Sequence, residues 1–362
     1  ELECSQNLYF GSLARIADLH LSERPFTIKT APREIWKTGD YVVGRYLGSN
    51  GNSVDYLELC DGTLYPLKKN DLVVGAFGER QATQEVVGTW KLIGKGTTHP
   101  KMQHICGSGM FGAETSRAKG HNASANYRYE GHCFRLDRKV CMRDFAPKIE
   151  ADGVKRPSCP TILIVGSSMS CGKTISAKVI IDIVKNDLGY EKVAGAKFTG
   201  GGYRHDTKQM SEAGADRVID FVDAGYCSTV MPPDEFQGCA LPAMLGLLAE
   251  FNPDCIVAEL GASPLEPYNG LEVLKELLLH SRPSQVFIVL CATDAYAASG
   301  LCQALVSEGL EFEPDVVCGM AANNSAGIAL VERVSGLPAL NLEDPLCVVE
   351  LRKLLKKRFL DR

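Results

Sequence analysis

The stretch 162–174 constrains the chain more than any other. It reads Ile162-Leu163-Ile164-Val165-Gly166-Ser167-Ser168-Met169-Ser170-Cys171-Gly172-Lys173-Thr174. Four β-prone apolar residues run into a small-residue loop that ends in Gly-Lys-Thr, and the spacing of Ile175, Val179, Ile180, Ile183 and Val184 then predicts a helix. Strand, loop and helix in that order are the setting of a phosphate-binding P-loop. Backbone N–H groups of the loop and of the helix start would point at an anion. Gly166, Ser168, Ser170, Gly172, Lys173, Thr174 and Ile175 would then line the phosphates, Lys173 as a point charge and the Thr174 hydroxyl on Mg2+. The spacing is unusual, because Ser167 stands where the first glycine is ordinarily found and Gly166 precedes it by one. The bland alternative is an ordinary strand-to-helix turn with Lys173 exposed.

From 161 onward, strand patterns (161–166, 192–199, 217–222, 254–260, 285–291, 314–320, 338–341) alternate with helical ones (173–188, 207–214, 239–251, 270–280, 296–308, 324–336, 346–359). That alternation predicts an α/β fold, a doubly wound and mostly parallel sheet with helices on both faces. The preceding half reads differently. Short β-prone runs at 41–46, 54–59, 72–77, 86–93, 127–135 and 139–145 are separated by turn signals such as 49–52, and imply a smaller β-rich domain, a barrel or sandwich. Residues 95–127 are rich in Gly, Ser and His and fit no template. The polar segment 148–160, with two prolines, reads as a linker. The expected organisation is therefore 13–157 as the β-rich N-terminal domain and 158–362 as the nucleotide-binding domain. Residues 1–12, which resemble the remnant of a protease-cleavable tag, are set aside.

Ligands on such sheets sit at the carboxyl ends of strands. After the second strand comes Lys197-Phe198-Thr199-Gly200-Gly201-Gly202-Tyr203-Arg204-His205-Asp206. A lysine closing an apolar strand needs an anionic partner if buried, so Lys197 joins Lys173 as a candidate catalytic residue. Asp206 is a candidate Mg2+ ligand, or only the N-cap of a helix starting at Thr207. Glu259 closes the fourth strand as a carboxylate placed to hold metal; the alternative is a solvated strand end. The metal set is thus Thr174, Asp206 and Glu259. After the sixth strand, Asn323 carries the donors and the acceptor to meet a purine edge, while Asn324 fits a helix cap. Asp220, Asp223 and Ser228-Thr229 are either pocket-lining residues or a turn and cap. His104, His121 and His132 are scattered, and single histidines are more often structural. Cys171 is either a thiol activated at a helix N-terminus or a small filler.

Composition narrows the partners. The charged content of 23% and net charge of −5 give no basic surface for nucleic acid, and the basic run Arg352 to Arg358 fits the solvated face of one helix. The 14 cysteines include no C-x-x-C pair, which fits a reduced, cytoplasmic protein and gives no zinc spacing. No run approaches the ~18 apolar residues of a membrane span.

Residues 161–345 resemble the dethiobiotin synthetase branch of P-loop enzymes. The resemblance lies in the longer loop from Gly166 to Gly172, in Lys197 followed by Asp206, in Glu259-Leu260-Gly261-Ala262 and in Ala322-Asn323. It implies ATP and Mg2+ held by Lys173, Thr174, Asp206 and Glu259, with Lys197 at the reacting groups; that branch's substrate-recognition residues do not map here. The chain is more closely similar to a poorly characterised family of two-domain P-loop proteins. That similarity covers the phosphate loop, Ala196-Lys197-Phe198-Thr199-Gly200, Asp220-Phe221-Val222-Asp223-Ala224-Gly225 with Ser228-Thr229, and Val73-Val74-Gly75-Ala76-Phe77-Gly78. A related branch, which departs at the P-loop, acts as a D-glutamate N-acetyltransferase.

The expected function is an ATP- and Mg2+-dependent kinase or ligase that activates a carboxylate, carbamate or amine of a small-molecule substrate. Two alternatives stand beside it. One is an N-acyltransferase whose P-loop holds the pyrophosphate of CoA, since a helix N-terminus binds any diphosphate. The other is a nucleotide-dependent switch, whose relatives often carry a second lysine at the position of Ser167. A homo-oligomer is expected by resemblance.

Overall fold

The computed structural model describes residues 8–20, 25–48, 54–94, 99–148 and 155–361. Residues 1–7, the turn expected at 49–52 and residues 149–154 of the expected linker lie outside the described residues. The chain forms two compact units. One comprises Glu1–Lys148 with Gly201–His205 and Phe221–Val230; the other comprises Ile149–Gly200, Asp206–Asp220 and Met231–Arg362.

The first unit is built on a ring of strands. Leu72–Phe77 pairs with Tyr41–Gly48, which pairs with Asn126–Arg135, then Lys101–Cys106, then Met110–Arg117, and this last strand returns to Leu72–Phe77. Closure of this kind leaves the ring without a free edge. Its interior is aromatic: Phe77, Phe111, Tyr127 and Tyr129 pack with Trp36 and Met102. Strands Lys101–Cys106 and Met110–Arg117 fall in the stretch that fits no template from sequence. Their period-2 pattern is masked by the glycines at the turn between them. Leu8–Phe10 belongs to the fold, which corrects its exclusion as a tag remnant: it pairs in parallel with Leu72–Val74. The run expected as a strand at 139–145 is only Arg138–Lys139 followed by a 3-10 turn, Met142–Phe145.

The second unit holds a six-stranded parallel sheet. Its order is Arg217–Asp220, Val193–Thr199, Cys255–Leu260, Thr161–Gly166, Val286–Cys291, Val316–Cys318. Five of the six strands fit the buried, near-continuous apolar runs that a sheet covered on both faces requires. On one face, Ile162, Ile164, Val257 and Val289 meet Ile180, Ile181 and Val184 of the segment after 167–172, and Leu351, Leu355 and Phe359 of the last helix. On the other, Thr161, Phe198 and Ile256 lie under Leu245, Leu248 and Leu277 of helices Leu241–Phe251 and Gly270–His280. The α/β architecture with a separate β-rich unit matches the expectation. One strand does not: 338–341 contributes a single bridge, Ala339 to Val317.

Candidate phosphate- and cation-binding site

The candidate phosphate loop, 167–172, joins strand Thr161–Gly166 to helix Lys173–Asp182. Two residues in it adopt left-handed backbone, Ser170 at φ 56° and Gly172 at φ 101°. Gly172 is the residue before the helix. The position of Gly166 has a physical reason. A Cβ there would lie 2.6 Å from Lys173 Nζ and 2.9 Å from Cys171 Sγ, so a side chain would force both of those side chains to shift. Lys173 is buried, and its ammonium donates to the Ser168 carbonyl at 2.6 Å. The same carbonyl accepts the Cys171 thiol at 3.1 Å, which makes Cys171 part of the loop's packing. Ile175 is 49% exposed.

Two neighbouring strand ends brace the loop. Ser167 N–H donates to the Cys291 carbonyl, and the Ser167 hydroxyl accepts from Thr293 N–H at 3.2 Å. Met320 N–H donates to the Cys171 carbonyl, beside Gly319, where a Cβ would fall 2.0 Å from that oxygen. Thr293 and Gly319 were not legible as loop supports, because nothing in their local sequence reports which strands are adjacent. Asn323 follows on the same segment. It is exposed, and its side-chain oxygen accepts from Asn324. Asn324 itself caps helix Ser325–Ser335 through Gly327 N–H.

The sequence-predicted catalytic and metal residues come together in this unit. Thr174 donates to Asp206 Oδ1 at 3.1 Å, and the Lys197 ammonium forms an ion pair with Asp206 Oδ2. Asp206 stands in the first turn of helix His205–Glu212, one residue inside the helix start, so it is not the N-cap. Its negative charge there suits the helix dipole. Glu259 is 2% exposed, and its Oε2 has no hydrogen-bond partner among the described residues. Burial, with the Asp206 carboxylate adding to it, pushes the Glu259 pKa up to about 7 against the pull of Lys197 and Lys173. Burial alone would lower Lys197, but Asp206 and Glu259 outweigh it and hold its pKa above the ordinary lysine value.

A buried carboxylate oxygen without a donor, beside a hydroxyl and a second carboxylate, fits a divalent cation. Among the described residues no group of three His, Cys, Asp or Glu side chains could hold a metal ion by itself. The donor set is that of Mg2+, which keeps waters and phosphate oxygens in its shell. Other candidates lie elsewhere. Asp223, Ser228 and Thr229 belong to the first unit, where Arg15 meets Asp223 at 3.7 Å. His104 accepts from Gly109 N–H, His132 lies inside the ring, and His121 is exposed. No helix among the described residues is long and apolar enough to cross a membrane.

No protein-family model and no curated protein matches the sequence. Solved structures do. The chain is similar to a DUF1611 family protein from Anabaena variabilis, with 18% identity over 58% of this chain and 63% of that chain, at a TM-score of 0.36. This chain therefore spans less than two thirds of that protein. It is also similar to the cell division protein FtsY from Thermotoga maritima (17% identity, 58% and 74% covered, TM-score 0.35) and to a ParA family ATPase from Chlorobium tepidum (14%, 55% and 93%, 0.32). Likenesses this loose carry no functional weight; the loop's own geometry does.

Proposed function

We propose that the second unit is an ATP- and Mg2+-dependent site that transfers a phosphoryl group to a carboxylate, carbamate or amine of a small molecule, as a kinase or ligase does. The observation that carries this reading is the convergence of Thr174, Asp206, Lys197 and Glu259 beside the phosphate loop, with a buried oxygen of Glu259 left for a cation. Bound Mg2+ would neutralise phosphate charge and would be held by Thr174, Asp206 and Glu259. The loop's N–H groups and Lys173 orient the phosphates, and Lys197 offsets charge on the group in transfer, so catalysis is positioning plus electrostatics. ATP is the nucleotide in this reading because the chain contains no Asn-Lys-x-Asp string of the kind that reads guanine.

The carboxylate pair favours a metal-bound nucleotide over the pyrophosphate of CoA, since two acids near a phosphate site repel an anion that brings no cation. Calorimetric titration with Mg·ATP, Mg·GTP and acetyl-CoA checks the choice. Binding of Mg·ATP alone is expected; tight acetyl-CoA binding with none for either nucleotide would replace this reading by acyl transfer.

A further inference from the structure

In the second unit one ammonium sits among three carboxylates. Lys197 occupies the middle of three neighbouring strands, and its Cα pairs in register with Asp220 on one side and with Glu259 on the other. Side chains at paired positions of parallel strands stand on the same face of the sheet. Lys197, Asp220 and Glu259 are 5%, 1% and 2% exposed. The third carboxylate, Asp206, comes from helix His205–Glu212, and it engages Lys197 through one oxygen and Thr174 through the other.

These attachments differ in what a cation would do to them. Thr174, Asp206 and Glu259 are the set that would hold it. A cation taking up Asp206 weakens the ion pair that anchors Lys197, and a buried ammonium left without a counter-charge is costly. Asp220 is outside the cation set and fixed at the end of a buried strand, in register with the lysine. We propose that Asp220 is a positioning residue that retains the Lys197 ammonium at the carboxyl edge of the sheet when Asp206 and Glu259 turn to the cation. The lysine then exchanges one carboxylate for another and stays beside the group in transfer. This inference rests on the phosphoryl-transfer reading and adds to it a residue that touches neither nucleotide nor metal.

The test has two arms. In the first, kcat and KM for Mg·ATP are measured for the full chain and for Asp220→Asn, Lys197→Met and the double variant, with Kd for a Mg-bound non-hydrolysable ATP analogue measured by calorimetry. Asp220→Asn is expected to lower kcat by about tenfold to a hundredfold with KM and Kd changed little, and to add nothing in the Lys197→Met background. The second arm needs no variant: a crystal structure of the wild-type chain with the same analogue and Mg2+ should show the Lys197 ammonium hydrogen-bonded to Asp220. Wild-type kcat in Asp220→Asn, an equal loss in both backgrounds, or a lysine still on Asp206 in the complex overturns the proposal and leaves the phosphoryl-transfer reading standing. A wild-type chain that binds no Mg-nucleotide removes both.

Discussion

Each unit buries a knot of charge, and the two are built on opposite plans. In the first, Asp40 accepts from the Lys139 ammonium at 2.5 Å and from Lys37 N–H at 2.7 Å, and lies 3.3 Å from His132. The other ring nitrogen of His132 meets the Tyr129 hydroxyl at 2.5 Å, and the rings of Trp36 and Phe77 stand 5.3 and 5.4 Å from the imidazole. One acid there meets a lysine and a histidine behind an aromatic wall. In the second unit three acids gather around Lys197, with Lys173 also acting on Glu259, at the end of a parallel sheet, where such folds take ligands. Burial of charge does not by itself mark a site. A buried carboxylate oxygen without a donor does not mark one either, since Asp40 Oδ1 in the first unit and Glu259 Oε2 in the second both lack a hydrogen-bond partner among the described residues; what differs is the excess of acids over bases in the second unit.

The comparison can be broken by mutation. The largest effect is expected from Lys173→Ala, which should weaken nucleotide binding and turnover by roughly a hundredfold or more while the melting temperature stays near wild type; retained turnover in a folded variant would sink the P-loop reading. In the first unit, Asp40→Asn should cost about 3 kcal/mol of stability, because it strands the Lys139 charge. Denaturant unfolding measures that loss, and nucleotide affinity should not move.

The two knots should also answer pH with opposite signs. Glu259 has a folded pKa of about 7, above its ordinary 4.5. Its contribution to stability is therefore present below the unfolded value and lost as pH rises through about 7. In the first knot burial lowers the pKa of His132; outside the knot, in the same unit, burial with the charge of Arg80 lowers His104 to about 3. Their contributions are present above the ordinary 6.5 and are lost as pH falls. Glu259→Gln should accordingly be more stable than wild type at pH 8, with the gap closing toward pH 5. Equal unfolding midpoints at pH 8 would show that Glu259 bears no unfavourable charge. The smallest effect is expected at Asp294, whose carboxylate caps helix Ala295–Ser307 through Tyr296 and Ala297 N–H. Asp294→Ala should cost about 1 kcal/mol by thermal unfolding.

Much of the second unit was legible because its signals are local. The apolar run before Gly166 and the capless Gly-Lys-Thr turn define strand and helix without reference to anything distant. Lys197 and Glu259 announce themselves as charges closing apolar strands. Strand adjacency was not legible. That Asp220 and Glu259 flank Lys197, or that Thr293 and Gly319 brace the loop, depends on sheet order, which no single segment encodes. In the first unit, glycine-rich turns hid two strands of the ring, and a resemblance in 6–12 concealed that Leu8–Phe10 is a strand. Asp206 sits in a helix by one residue, a boundary that capping patterns alone do not resolve.

In the proposed function the surplus carboxylates hold a cation together with a nucleotide. Calorimetry of a non-hydrolysable ATP analogue, with Mg2+ and then with chelator, on wild type and Glu259→Gln tests it most directly. Wild type is expected to bind tightly only with Mg2+, and the variant to bind with an affinity that no longer depends on the cation. Equal binding by wild type with and without Mg2+ would contradict it.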